Sequence, residues 1–200
     1  MKFTINYIKI KLKIYIYMYP IINLFLLVEL IGYLWHRFVN HLGILGNKIR
    51  VTHYCHHEEI YPHNDMISDE YKTSHDTWPW FIPLILFGYI PLHTLYKKKH
   101  LHYHIYMMCV FQITFHIYVI SYIHDSYHVR DHWLNQYQWY TENKKYHYIH
   151  HLDNKNYGIT TYIFDKLFGT FSYDVRDKID IFYKFNTTCD DRIKLFDILG

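Results

Sequence analysis

The sequence predicts an all-α protein, an integral membrane helical bundle with a histidine-rich cap. Three observations predict it: long apolar stretches, a short lysine-rich connector between two of them, and 18 histidines among 200 residues. Half of the residues are hydrophobic and only 7 are glycine, which excludes a disordered chain. The formal charge of +3 is small, and we therefore expect no nucleic-acid partner.

The first predicted element is an apolar helix over Ile14–Trp35. Its only strongly polar members are Asn23 and Glu29, and it is long enough to cross a hydrocarbon layer. Lysines at positions 9–13 precede it, as at the start of a signal peptide. No small-residue cleavage site follows, so we expect a retained anchor.

The second predicted element is a transmembrane hairpin over residues 78–123. Its arms, Trp78–Tyr96 and Leu101–Ile123, flank the connector YKKKHLHYH and carry aromatic residues near their ends, as at a membrane interface. A pair of buried helices in a soluble protein is the alternative. A hairpin brings the chain before it and the chain after it to the same face of the membrane.

We therefore predict one membrane-embedded domain over residues 1–200. Its parts are an apolar helix, a hairpin, a cap in two segments and a C-terminal tail: 14–35, 78–123, 36–77 with 124–171, and 172–200.

Four histidine groups fall in the two cap segments: HRFVNH, HYCHH, HDSYH and HYIHH. On a helix, residues at i, i+3 and i+4 share a face, so each HxxHH predicts a set of metal ligands. The i, i+5 spacing of the first pair instead predicts that its histidines straddle a helix end. The ten candidate ligands are His36, His41, His53, His56, His57, His124, His128, His147, His150 and His151.

Ten imidazoles exceed what one zinc ion binds, but they suit two octahedral ions with five each and one open position for dioxygen. Neutral ligands leave the ions' charge uncompensated, so we expect carboxylates to orient the rings from outside. The candidates are Glu29, Glu58, Asp125 and Asp131. The alternative is that these four are ordinary solvated acids. His132, four residues after His128, is an alternative ligand.

The four groups around an apolar hairpin, followed by NYGITTYIFDKLFGTF, resemble the fatty acid hydroxylase superfamily over about residues 24–171. That superfamily includes sterol desaturases and carotene hydroxylases. The resemblance implies an oxidoreductase of lipid biosynthesis, in which two iron ions on the ten histidines use O2 to hydroxylate lipid C–H bonds. The resemblance also implies that zinc can replace the iron in purified protein.

The resemblance also implies a separate electron donor, such as cytochrome b5. It further implies an endoplasmic reticulum or other internal membrane, with the histidines facing the cytosol. Tyr157, Gly158, Asp165 and Gly169 are interpreted as structural residues that fix the turn after the last histidine group.

Three alternatives stay open at the level of sequence. A desaturase would share the chemistry but release an alkene. A metal-binding or metal-transporting membrane protein would be non-catalytic, although the apolar helices offer few ionisable residues for a transport path. An inactive relative would keep only the structure.

Overall fold

The computed structural model describes residues 21–72 and 81–173, which form six helices. Within these ranges there is no strand, only an isolated bridge between Ser68 and Val129, so the all-α prediction is confirmed. A 3₁₀ turn, Trp133–Gln136, precedes the fifth helix. The helices are α1 Ile21–His41, α2 Asn47–Cys55, α3 81–97, α4 Tyr103–Ser126, α5 Gln138–Leu152 and α6 Ile163–Phe168.

Helix α1 differs from its prediction at its C-terminal end. The first residues of the predicted Ile14–Trp35 lie outside the described range, but the helix continues past Trp35 as a π-helical segment, Trp35–His41. Its i→i+5 bonding ends with the Leu42 amide donating to the Arg37 carbonyl at 3.2 Å. The wider turn brings residues five apart onto one face. His36 and His41 thus lie inside the helix, and the prediction that they straddle its end was wrong.

A second π-helical segment, His56–Ile60, follows α2 directly. The Tyr61 amide closes it by donating to the His56 carbonyl at 3.0 Å. A π-helical segment interrupts the regular i→i+4 hydrogen bonds of an α-helix, and such segments occur frequently at functional sites. These two π segments together carry four candidate ligands, whereas a third, Ile85–Tyr89 within α3, carries none.

Helices α3 and α4 form a helical hairpin, joined by a short turn in which Lys99 has a positive φ of 59°. Residues 78–80 of the predicted first arm lie outside the described residues. The Tyr89 and Thr114 hydroxyls are hydrogen-bonded at 2.7 Å between the two helices. Helix α1 packs on this hairpin through an apolar core: Val28, Ile31, Leu84, Ile113 and Ile117.

Helices α1 and α4, with 21 and 24 residues, are long and apolar enough to cross a membrane. Helix α4 also carries large apolar side chains that are more than half exposed in the described part of the chain. Phe111 is 67% exposed, Phe115 56% and Tyr118 68%. An outward apolar face of this kind suits lipid better than water. These features support membrane association.

The cap packs on the far end of α4 through a second core of Ile123, Tyr127, Leu134, Tyr140 and Ile159. The Tyr127 hydroxyl donates to the Ile159 carbonyl at 2.9 Å, and the Tyr140 hydroxyl donates to Ser126 Oγ at 2.9 Å. These contacts fix the start of α5 against the end of α4, which sets the position of the last histidine group.

Candidate metal centre

Nine of the ten histidines predicted as ligands converge in two buried groups. Within each group, one potential ligand nitrogen from every residue lies within 4.8 Å of the others. The five-histidine group, here site A, contains His36, His41, His53, His57 and His150. The four-histidine group, here site B, contains His56, His128, His147 and His151.

The two HxxHH motifs each divide between the sites, in opposite senses. HYCHH gives its first and last histidines to site A and His56 to site B, whereas HYIHH gives its first and last to site B and His150 to site A. Residues at i and i+4 lie close together around a helix axis, while the i+3 residue is about 100° from the i+4 residue. Each motif therefore contributes to both sites and joins them.

In site A the ring nitrogens are spaced as ligands of one ion. The Nε2 atom of His53 lies 2.9 Å from that of His36, 3.0 Å from that of His41 and 3.0 Å from that of His57. Two imidazole nitrogens bound at right angles, each about 2.1 Å from a metal, are about 3.0 Å apart. The donor set thus fits a divalent transition-metal ion.

Site B repeats this spacing, with the Nε2 atoms of His147 and His128 3.0 Å apart. The tenth predicted ligand, His124, lies beside site B but not within the group of four. Its ring centroid is 4.5 Å from that of His56, and its Nδ1 is 3.3 Å from Asp125 Oδ1.

The two sites adjoin. The imidazole of His57 in site A stacks on that of His151 in site B, with ring centroids 3.9 Å apart and an interplanar angle of 21°. The rings of His53 and His56 are also nearly parallel, with centroids 5.8 Å apart. Two ions held in the two groups would therefore be close neighbours, as in a dinuclear centre.

The outer nitrogens of three of the five site A rings contact the loop of residues 154–157. His36 Nδ1 lies 2.6 Å from the Tyr157 carbonyl oxygen, and His41 Nδ1 lies 2.9 Å from Asn154 Oδ1. A carbonyl oxygen only accepts hydrogen bonds, so Nδ1 carries the proton and the Nε2 lone pair faces inward. The loop turns sharply at Asn156, whose φ of 54° an asparagine tolerates.

The same arrangement recurs once more in each site. His150 Nδ1 donates to the Lys155 carbonyl at 2.8 Å in site A, and His128 Nδ1 donates to the Met66 carbonyl at 2.8 Å in site B. Contacts of this kind fix the ring orientation of metal-bound histidines. The sequence interpretation missed these acceptors, because most are backbone atoms; the Asn- and Gly-containing turn NKNYG was the one available signal.

Burial favours the neutral form of five histidines of the cap. Burial first, and neighbouring imidazoles second, lower the pKa of these side chains well below the ordinary value of 6.5. The residues concerned are His56, His57, His147, His150 and His151. Neutral imidazoles carry the lone pairs that metal binding needs.

Of the four predicted carboxylates, Glu29 lies among the apolar helices and contacts none of the candidate ligands. Its Oε1 accepts from His116 Nε2 at 2.7 Å and from the Thr160 hydroxyl. Both Glu29 and His116 are buried. The Glu29 carboxylate therefore joins α1 to α4 through His116 and to the segment after α5 through Thr160.

The other three carboxylates take different positions. Asp125 contacts Nδ1 of His124, one of the predicted ligands. Glu58 lies 3.6 Å from His63, and Asp131 is exposed at the surface. The alternative ligand His132 caps the 3₁₀ turn, where its Nδ1 accepts from the Leu134 amide at 3.3 Å. The structure does not bring His132 into either site.

A cavity of about 480 Å³ lies between α1, the loop after it and α3. Its lining is apolar, and its volume falls within the range of small-molecule sites, about 300–1,000 Å³. Trp35 and Val39, which line it, are next to His36 and Asn40 in the sequence. Other lining residues are Leu27, Leu30, Ile31, Phe38 and Phe87.

Apolar helices of membrane-spanning length and two adjoining histidine groups define a membrane-associated protein of the histidine-rich metal-binding class. The chain belongs to the fatty acid hydroxylase family, whose model, described as "Fatty acid hydroxylase", matches residues 21–170. The resemblance inferred from the histidine groups and the tail is thereby confirmed. Neither the curated proteins nor the solved structures that were compared contain a match to this chain.

Proposed function

We propose that this protein is a membrane-bound, O2-dependent lipid C–H hydroxylase with a di-iron centre in sites A and B. The observation that carries the proposal is the pair of adjoining groups of inward-facing histidines in a fatty acid hydroxylase family member. Five imidazoles in one group exceed the four ligands usual for zinc, which favours a metal of higher coordination number.

In this proposal the ten predicted histidines hold the ions, with His124 joining site B. Bound iron would supply the oxidation chemistry: one oxygen atom of O2 enters the C–H bond and the other leaves as water, consuming two electrons and two protons. The chain's own part is to fix the rings through their Nδ1 contacts and to keep the imidazoles neutral. The apolar cavity beside α1 would exclude water and take the alkyl part of a lipid.

The electrons would come from a separate carrier protein, with cytochrome b5 or a similar donor as our proposal. We also propose that the protein resides in the endoplasmic reticulum or another internal membrane, with both sites on the cytosolic side. A desaturase remains the second candidate, because the same donor set would serve removal of two hydrogens from a lipid.

Comparison of lipid extracts tests the reaction. Cells expressing the protein are compared by mass spectrometry with cells expressing His150→Ala, which loses a site A histidine, and with cells expressing His132→Ala. His132 is buried like His150 but lies outside both sites. We expect a lipid that has gained one oxygen in the wild type and His132→Ala but not in His150→Ala. Loss of two hydrogens would identify a desaturase.

Metal analysis tests the centre itself. Protein purified in detergent under reducing conditions should contain two iron ions per chain, fewer in His150→Ala and two in His132→Ala. An iron content clearly below two ions per chain in the wild type, unaffected by His→Ala changes in HYIHH, would contradict the proposal. Iron flux into proteoliposomes without oxygen consumption would instead favour the transport alternative.

A further inference from the structure

The buried carboxylate of Asp165 accepts three hydrogen bonds. Its Oδ1 accepts from the Tyr157 amide at 2.7 Å and from the Thr170 hydroxyl at 2.8 Å, and its Oδ2 accepts from the Gly158 amide at 2.8 Å. Hydrogen bonds that a carboxyl group accepts favour its ionised form, which has no proton to donate. Burial raises the pKa of Asp165, while these hydrogen bonds oppose the rise.

One peptide group connects this carboxylate to site A. The peptide between Tyr157 and Gly158 donates its N–H to Asp165 Oδ2 at 2.8 Å, and its carbonyl accepts the Nδ1 proton of His36 at 2.6 Å. A hydrogen bond at one end of an amide polarises it and strengthens the bond at the other end. The arrangement is a carboxylate–histidine contact with an amide inserted between the two partners.

The position of Gly158 requires the absence of a side chain. A Cβ atom there would lie 2.2 Å from the Thr161 carbonyl oxygen and 2.9 Å from Asp165 Oδ2. Gly169 ends α6 with a φ of 71°, which glycine adopts readily, and Thr170 follows with its amide 2.8 Å from the Asp165 carbonyl oxygen. Residues 157–170 therefore hold the Asp165 carboxylate directly against the Tyr157–Gly158 peptide, with no room for a side chain at Gly158.

We propose that Asp165 is the positioning residue of site A and supplies its compensating anion, acting on His36 through the Tyr157–Gly158 peptide. The proposal rests on the proposed function for the presence of iron. Every predicted ligand is a neutral imidazole, so an anion one amide away raises the basicity of His36 and offsets the charge of the ion that it binds. Because the peptide contacts only a site A ligand, the effect is confined to one of the two ions.

The test compares Asp165→Asn with Thr170→Val in the purified iron-loaded protein by Mössbauer spectroscopy and redox titration. Asparagine keeps the size of the side chain but removes the charge and turns one acceptor into a donor. Valine removes the Thr170 hydroxyl, with its hydrogen bonds to Asp165 Oδ1 and to the Tyr33 hydroxyl, and leaves the amide connection intact. We expect Asp165→Asn to change the spectrum of one iron ion, to raise the reduction potential of that ion, and to weaken its retention about 10- to 100-fold.

In the Thr170→Val variant we expect both iron spectra to match the wild type. If Asp165→Asn leaves both spectra and both potentials unchanged, or changes the two ions equally, the positioning role is overturned. Should that variant not accumulate, Asp165→Glu is measured in the same way, because it keeps the charge but displaces it. A change confined to one ion supports the proposal, and two unchanged spectra overturn it.

The two proposals can fail separately. A wild-type protein that binds two iron ions but oxidises no lipid contradicts the proposed function, while the spectra of the Asp165 variants still decide the positioning role.

Discussion

Sites A and B share the two HxxHH motifs but are supported differently. In site A, the outer nitrogens of three histidines contact the single loop 154–157. In site B, His128 contacts Met66 and the adjoining His124 contacts Asp125, two partners that lie far apart in the sequence. Two ions in such sites are close neighbours without being equivalent.

The support of site B depends on a short extended segment after α2. The Ser68 amide donates to the His128 carbonyl at 2.8 Å, and the Arg130 amide donates to the Ser68 carbonyl at 2.9 Å. This isolated bridge is the connection that holds Met66 over His128. The five histidines of site A already lie together, whereas His124 must still join the four of site B. We therefore expect site A to bind its ion more tightly than site B.

The largest effect should come from the middle histidine of each HxxHH motif, which belongs to a different site from the other two histidines of that motif. His56→Ala removes a site B ligand and His150→Ala a site A ligand, and each change should lower lipid oxidation by more than about 100-fold, beyond the usual cost of losing an outer contact. Iron per chain and oxidised lipid are the measurements. The comparison fails if either variant keeps both ions and full activity.

A smaller effect is expected from the outer contact of His41. Asn154→Ala removes the side-chain oxygen 2.9 Å from His41 Nδ1, and we expect iron in site A to be released about 10- to 100-fold more easily. Competition with a chelator measures the release. The control is Asn135→Ala, which loses a side-chain hydrogen bond to the Arg130 carbonyl. Equal release from both variants would contradict a special role for the loop.

Acidification should destabilise the metal-free protein. The folded-state pKa values of five cap histidines are lowered, so the unfolded chain binds protons first as the pH falls below about 6.5. The free energy of unfolding should be greatest above that pH and decrease progressively below it. Thermal unfolding in detergent at several pH values checks the sign. Increased stability on acidification would show that these imidazoles are not buried in neutral form.

The smallest effect should come from the apolar cavity, which lies outside both histidine groups. Leu34→Trp fills part of the cavity, and we expect roughly a tenfold or smaller loss of lipid oxidation with unchanged iron content. Ile22→Trp is the control, because Ile22 is an exposed α1 residue that does not line the cavity. A parallel loss of iron in Leu34→Trp would mean that the cavity shapes the metal sites rather than the substrate.

The failures of sequence interpretation have a common cause. The i, i+5 spacing of His36 and His41 suggested a helix end because regular α-helical geometry was assumed, whereas a π segment places both rings inside one helix. Glu29 shares a helical face with His36 by spacing alone, yet it contacts His116, 87 residues away. Local periodicity describes which residues share a face, but not what that face meets.

The sequence by itself determined the apolar helices, the family and the candidate histidines, because these depend on composition and on spacings of a few residues. Only the tertiary structure decided which imidazole joins which site, and that Tyr157 holds His36 across 121 residues of chain. The physical reason is that ring orientation depends on hydrogen-bond acceptors brought close by packing. Many of those acceptors are backbone carbonyls, which every residue carries and no sequence pattern distinguishes.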